Sequence, residues 1–193
     1  MLLSWLNIDA SVLLRAGFAF TLSLLSALVL GSPLIGYLHR KQHHGQPIRT
    51  DGPQSHLATK QGTPTMGGLL ILGTAVISIL CFANVHYHFV WVSLLVLLIY
   101  GATGFVDDYI KVSKETPNAL TAKAKLFFQF MTAVIAVTII TAATPNANDT
   151  ILSIPYFKTV FTISWLYIPF AVIVISGASN GVNLSDGLDG LAT

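Results

Sequence analysis

The chain has 193 residues, of which 53% are hydrophobic and 9% are charged, and its formal net charge is +2 at pH 7. So small a charge does not indicate a nucleic-acid-binding surface, and the single cysteine, Cys81, excludes an internal disulfide. The long uncharged apolar runs instead predict an integral membrane protein, because about 20 apolar residues in a helix span a bilayer.

Five transmembrane helices are predicted in chain order, at residues 16–38, 66–83, 89–106, 126–143 and 159–179. Their runs are continuously apolar rather than alternating, which favours helices over the strands of a barrel. The first run is too long for the apolar region of a signal peptide, so we expect it to be retained. The chain is therefore predicted to be an all-α polytopic membrane protein forming one membrane domain.

The basic residues predict the orientation in the membrane. Eight of the ten Lys and Arg residues lie in two loops: Arg40, Lys41, Arg49 and Lys60 before the second span, and Lys111, Lys114, Lys123 and Lys125 before the fourth. The positive-inside rule then places the N-terminus outside and both loops in the cytoplasm. Five crossings bring residues 180–193 to the same side, so all the polar motifs face one compartment.

Asp107 and Asp108 lie side by side where the third span ends, after 46 residues (61–106) that contain no Asp, Glu, Lys or Arg. Two carboxylates suit Mg2+ and, through it, a phosphorylated substrate. A solvated helix end is the competing explanation, but the partial negative charge at the C-terminus of a helix disfavours carboxylates there. We therefore expect this pair to be catalytic and to contact the metal.

Two loop segments supply further candidates. Lys60 and Thr65 belong to a glycine-rich stretch, residues 60–68, that leads into the second span. Free N–H groups at such a helix start favour an anion or a polar ligand, although a helix cap with a glycine-rich packing face explains the stretch equally well. Lys123 and Lys125 lie directly before the fourth span and are expected to face the acids and bind phosphate; positive-inside bias with lipid contact is the alternative.

Asn183, Asp186 and Asp189 follow the fifth span at intervals of three residues. On a helix they would share one broad polar face, but the glycines among them are equally compatible with a partly unwound segment. A polar surface turn is the alternative to a substrate site. Their position directly after an apolar span favours the site.

These segments together resemble the phospho-N-acetylmuramoyl-pentapeptide transferase family of bacterial peptidoglycan synthesis. The resemblance is close over residues 51–53, 60–68, 104–111 and 183–192. It implies a ten-helix enzyme of the bacterial cytoplasmic (inner) membrane, of which this chain would be the N-terminal half. It also implies an active site on the cytoplasmic face and a homodimer when the protein is full length.

The same resemblance implies a reaction: phospho-N-acetylmuramoyl-pentapeptide passes from its UDP carrier to undecaprenyl phosphate, giving lipid I and UMP, with Mg2+. Asp107 and Asp108 match the catalytic acid pair of the family. The other matched positions belong to its substrate site: Lys60 and Thr65 at the nucleoside end, a functionally important lysine at Lys125, and Asn183, Asp186 and Asp189. The third essential Asp and a His-rich loop would lie beyond Thr193, so this chain alone is expected to be inactive.

Two other classes of protein remain as alternatives. A sister polyprenyl-phosphate HexNAc-1-phosphate transferase would share the acid pair, but residues 63–68 favour the muramoyl-pentapeptide branch. A non-catalytic membrane subunit or a transporter is the second alternative. Transporter sites are expected near the middle of the bilayer, and no predicted span carries an acidic residue in its middle.

Overall fold

The computed structural model describes residues 12–42, 64–116, 119–143, 151–153 and 160–185. Over these residues the chain forms five α-helices and one antiparallel pair of short strands. The elements are α1 (Val12–Lys41), α2 (Gly68–Phe82), α3 (His88–Lys114), α4 (Ala122–Ala143), β1 (Ile151–Ser153), β2 (Val160–Thr162) and α5 (Tyr167–Ser185). The chain divides into two compact units, Met1–Ala122 and Lys123–Thr193.

Three of the described helices have the length and composition of membrane spans. Helices α1, α3 and α4 contain 30, 27 and 22 residues and are apolar enough to cross a bilayer. Helix α2 is apolar but has only 15 residues, which corresponds to about 22 Å at 1.5 Å per residue. The prediction of an all-α polytopic membrane protein is confirmed, with a small strand pair as an addition.

The fifth predicted span differs most from the observed structure. Residues 160–162 of this span form β2, in which Phe161 lies opposite Leu152 of β1. A 3-10 turn at Ser164–Leu166 follows, and α5 begins only at Tyr167 and continues to Ser185. A short apolar run is compatible with a strand or a helix, so hydropathy alone did not separate the two.

Close approach between helices organises the first unit. A Cβ built on Gly31 of α1 would lie 3.6 Å from Cδ2 of Leu70 in α2, an ordinary van der Waals contact. A Cβ built on Gly101 of α3 would lie 2.9 Å from Cδ2 and 3.2 Å from Cγ of Leu72. No side chain fits at Gly101 unless Leu72 moves, so this glycine lets α2 and α3 approach each other closely.

We therefore expect Gly101→Leu to destabilise the protein. A leucine at this position must displace Leu72 and push α2 from α3, and overpacking of this kind costs about 1–3 kcal/mol. The measurement is the melting temperature of the purified protein in detergent. Gly104→Leu is the matched control, because a Cβ there meets nothing within 4 Å. Equal melting temperatures for the two variants would contradict this packing.

The second unit has its own core and a polar contact between helices. Ala133 and Val137 of α4 are buried with Val172 of α5. Towards the other end of α5, Asn180 donates from Nδ2 to Oε1 of Gln129 at 2.7 Å, and Gln129 donates from Nε2 to Oγ of Ser179 at 3.4 Å. Such hydrogen bonds between apolar helices hold α4 and α5 in register.

Candidate active site

The acid pair lies in the last two turns of α3, beyond the uncharged run that ends at Val106. Asp107 is only 4% exposed, and Asp108 is partly buried. Helix α3 ends at Lys114, and Glu115 follows in the left-handed conformation with a φ of 49°. Two carboxylates near a helix C-terminus are unfavourable unless cations or donors offset them. A solvated helix end does not describe this arrangement.

Lys111 supplies the offsetting charge. Its Nζ lies 2.8 Å from Oδ2 of Asp107 and 3.3 Å from Oδ1 of Asp108, so one ammonium bridges both carboxylates. The three residues meet because positions three and four apart lie on the same face of a helix. The lysine is not central to the sequence prediction, although the same spacing could have revealed the bridge.

Lys111 lies past the apolar part of α3, and its pKa is raised above the usual value. Burial of the ammonium by itself lowers the pKa, but the hydrogen bonds and charges of Asp107 and Asp108 outweigh that effect. The side chain therefore stays protonated at neutral pH. The site contains two carboxylates and one positive charge.

Two other segments supply neutral donors to the pair. Thr65, before α2, donates its hydroxyl to Oδ2 of Asp108 at 2.7 Å. The backbone N–H of Leu120, after α3, donates to Oδ1 of Asp107 at 3.0 Å. The three segments meet at the acids, although up to 43 residues of chain separate the partners. The structure thus brings together Thr65, Asp107 and Asp108, three of the residues that the sequence singled out.

A further residue, Gln42, was not predicted from the sequence. It follows the last residue of α1 and is 6% exposed, and its side-chain amide pairs with the backbone of Thr65 through two hydrogen bonds. No motif marks this glutamine, and its contact with Thr65 bridges 23 residues of chain. Sequence patterns carry no signal for such a pairing.

The donor set of the site is compatible with Mg2+. Oδ2 of Asp107 and Oδ1 of Asp108 converge on one point, which the ammonium of Lys111 fills, and carboxylate oxygens are the ligands that this hard cation prefers. Within the described residues, no group of three His, Cys, Asp or Glu side chains is arranged to hold a metal. Asp107 and Asp108 would therefore hold the ion with water, or with ligands from outside the described residues, after Lys111 had moved aside.

Three of the remaining predicted site residues lie on described helices. Lys123 and Lys125 lie in the first turn of α4, the former exposed and the latter partly buried, and Asn183 is exposed near the end of α5. Their assignment to phosphate and substrate binding stays a prediction. Three predicted residues lie outside the described part of the chain: Lys60, Asp186 and Asp189.

Comparison with known proteins defines the class. The model of glycosyl transferase family 4 matches residues 90–193, which include the acid pair and Asn183. The chain belongs to this family, and its apolar helices make it a multi-pass membrane protein.

More specific similarity points to one branch. Residues 60–72, which include Thr65, match the phospho-N-acetylmuramoyl-pentapeptide-transferase signature 1. Proteins named phospho-N-acetylmuramoyl-pentapeptide-transferase from Ruegeria sp. (strain TM1040) and Ruegeria pomeroyi are each 46% identical to this chain over 187 residues. Each alignment covers 96% of this chain and 52% of the relative, so the chain spans about half the length of these proteins. The resemblance inferred from the motifs is confirmed.

Proposed function

We propose that the full-length protein transfers phospho-N-acetylmuramoyl-pentapeptide from its UDP carrier to undecaprenyl phosphate, giving lipid I and UMP. The observation that carries this proposal is the hydrogen bond between Thr65 and Asp108. It joins the segment that matches the transferase signature to the acid pair on α3. This hydrogen bond therefore connects the signature segment to the proposed catalytic residues.

In the proposed reaction an oxygen of the carrier lipid phosphate forms a bond with the β-phosphorus of the UDP-sugar. The bond from this phosphorus to the oxygen that bridges the two phosphates breaks, and UMP leaves with that oxygen. Asp107 lies at the membrane boundary, where a lipid phosphate approaches, and it deprotonates or orients that phosphate. Asp108 holds the geometry, and Lys111 balances charge among groups that are all negative.

Mg2+ is the proposed cofactor, and when bound it would neutralise charge on the transferring phosphoryl group. Asp107 and Asp108 are its proposed ligands in this chain. Lys111 contacts one oxygen of each carboxylate, so a cation held by these oxygens would displace its ammonium. The released ammonium could then contact a phosphate oxygen of the substrate, since lysine binds phosphate as a mobile point charge.

The proposed location is the bacterial cytoplasmic membrane, with the N-terminus outside, the acid pair on the cytoplasmic face and a homodimer as the assembly. The distribution of basic residues supports this orientation, because eight of ten lie in the two loops that would be cytoplasmic. The carrier lipid would reach the site from within the bilayer, and the soluble UDP-sugar from the cytoplasm.

This orientation predicts the reactivity of cysteines introduced at the two ends of α3. A cysteine at Lys114, which is exposed, should react with a membrane-impermeant maleimide only after the cells are opened. A cysteine at the exposed His86 should react in intact cells. Both are made in a background with Cys81→Ala, and the unsubstituted background is the control. Labelling of position 114 from outside would place the acid pair on the wrong face and overturn the proposed site.

The reaction itself is tested with the purified full-length protein, Mg2+ and undecaprenyl phosphate. We expect release of UMP from UDP-N-acetylmuramoyl-pentapeptide and no release from UDP-N-acetylglucosamine. The reverse preference would assign the protein to the sister HexNAc-1-phosphate transferases. Release from neither donor, by a protein that retains its fold, would contradict the proposed activity.

A further inference from the structure

Gln42 is anchored by the helix that precedes it. Its backbone N–H donates to the carbonyl of Leu38 at 2.9 Å, which extends the hydrogen-bond pattern of α1 past Lys41. Leu38 is itself buried. The side chain of Gln42 therefore projects from a rigid base, and its burial shows that it lies inside the packed unit rather than in solvent.

The carboxamide of Gln42 binds the peptide groups of Thr65 at two points. Oε1 accepts the backbone N–H of Thr65 at 2.8 Å, and Nε2 donates to the carbonyl oxygen of Thr65 at 3.2 Å. Only a primary amide side chain offers a donor and an acceptor in this arrangement. Two such bonds fix both the position and the orientation of one residue, as a neighbouring β-strand would.

The backbone after Thr65 needs this support. Met66 has a φ of 72°, in the left-handed region that residues with a side chain rarely adopt. Such a conformation persists only where the surroundings determine it. On one side, the carbonyl of Met66 accepts the N–H of Leu69 at the start of α2. On the other side, the bonds from Gln42 hold Thr65.

These backbone contacts determine the direction in which the hydroxyl group of Thr65 points. With its backbone held, Thr65 directs Oγ1 to Oδ2 of Asp108 at 2.7 Å. Asp108 in turn shares the ammonium of Lys111 with Asp107. A continuous line of hydrogen bonds thus runs from the end of α1 to the acid pair.

We infer that Gln42 is a positioning residue for the acid pair, which it controls through Thr65. The inference rests on the proposed transfer reaction for its kinetic consequences. Gln42 contacts no reacting atom; it sets where the Thr65 hydroxyl lies and so how Asp108 is oriented. Loss of the amide frees Thr65, and Asp108 then loses its neutral donor and turns further towards Lys111.

The first test measures kinetics of the full-length protein with Gln42→Met, which keeps the length of the side chain but removes both hydrogen bonds. We expect kcat to fall about tenfold, while KM for the UDP-linked donor changes less than about threefold. Lys41→Met is the matched control, because Lys41 is the exposed neighbour at the same helix end. Unchanged kcat in Gln42→Met would overturn the inference.

A double-mutant cycle tests whether Gln42 acts through Thr65. If it does, Gln42→Met should add little to the loss of kcat already caused by Thr65→Val, because that variant already lacks the hydroxyl group through which Gln42 acts. Additive losses would show that Gln42 acts by another route and would overturn the inference. Gln42→Asn, whose amide is too short to reach, should reproduce the Gln42→Met result and serves as the second variant if the methionine variant does not fold.

Hydrogen–deuterium exchange separates this inference from the proposed function, since it needs no substrate. The peptide that covers residues 64–67 should exchange faster in Gln42→Met, because the Thr65 N–H loses its acceptor. If the wild type catalysed no transfer, the proposed function would fail, and the exchange at Thr65 would still decide the positioning role. Unchanged exchange at Thr65 in Gln42→Met would overturn the positioning role. A uniform increase in exchange along α1 and α2 in both Gln42→Met and Gln42→Asn would also overturn it.

Discussion

Asp107→Asn should lower kcat of the full-length protein by about a hundredfold or more, with little change in donor binding. This substitution removes the negative charge of Asp107 but retains one of its hydrogen bonds. The carboxamide oxygen of asparagine can still accept the N–H of Leu120, which lies 3.0 Å from Oδ1 of Asp107. What is lost is the charge at Oδ2, which lies 2.8 Å from Nζ of Lys111. The variant therefore removes the charge and keeps the hydrogen bond from Leu120.

The measurement is steady-state release of UMP, accompanied by a binding isotherm for the UDP-linked donor. Glu115→Gln is the matched control, because it removes an exposed carboxylate just after the same helix. We expect near-normal turnover in that control. Turnover by Asp107→Asn within a few-fold of the wild type would show that Asp107 is not a reacting group, and the assignment of the acid pair would be wrong.

The acid pair is stable near a helix end because Lys111 and two neutral donors offset part of its negative charge. Two carboxylates and one partly buried ammonium leave an excess negative charge, with Thr65 and Leu120 adding neutral donors. This balance suits a site that admits a divalent cation and substrates rich in phosphate. A fully neutralised cluster would bind the metal poorly, and an uncompensated pair of buried acids would be strongly destabilising.

Hydropathy predicts most of this fold, because a bilayer requires long apolar helices with every backbone hydrogen bond satisfied internally. Hydropathy does not predict how far a helix continues beyond its apolar residues. Helix α3 runs eight residues beyond Val106, and this extension is what places Lys111 beside the acids. The strand pair β1–β2 was missed because three-residue apolar strands leave no periodicity to detect.

The site was predictable to the extent that it rests on local sequence. Asp107 and Asp108 are conspicuous because charge is absent from the residues before them. The bridge by Lys111 also follows from helical spacing. The contacts of Thr65 with Asp108 and with Gln42 depend on how α1, α2 and α3 pack, and no pattern within one segment encodes that packing.

Residues 1–193 expressed alone should insert into membranes but catalyse no transfer. The chain spans 52% of the length of its relatives, and the resemblance places a third essential Asp beyond Thr193. Mg2+ prefers about six oxygen ligands in octahedral geometry, whereas the acid pair offers two carboxylates already bridged by Lys111. The ion would be held mainly by water, and we expect binding too weak to saturate at millimolar Mg2+.

The test compares residues 1–193 with the full-length protein, both purified in the same detergent. Helical content by circular dichroism shows whether the shorter protein has folded, and Mg2+ titration by calorimetry reports binding independently of activity. We expect UMP release from the full-length protein only. Clear turnover by residues 1–193 would mean that the acid pair needs no further carboxylate. Asp107, Asp108 and Lys111 would then suffice for the chemistry, and the proposed requirement for a third metal ligand would be wrong.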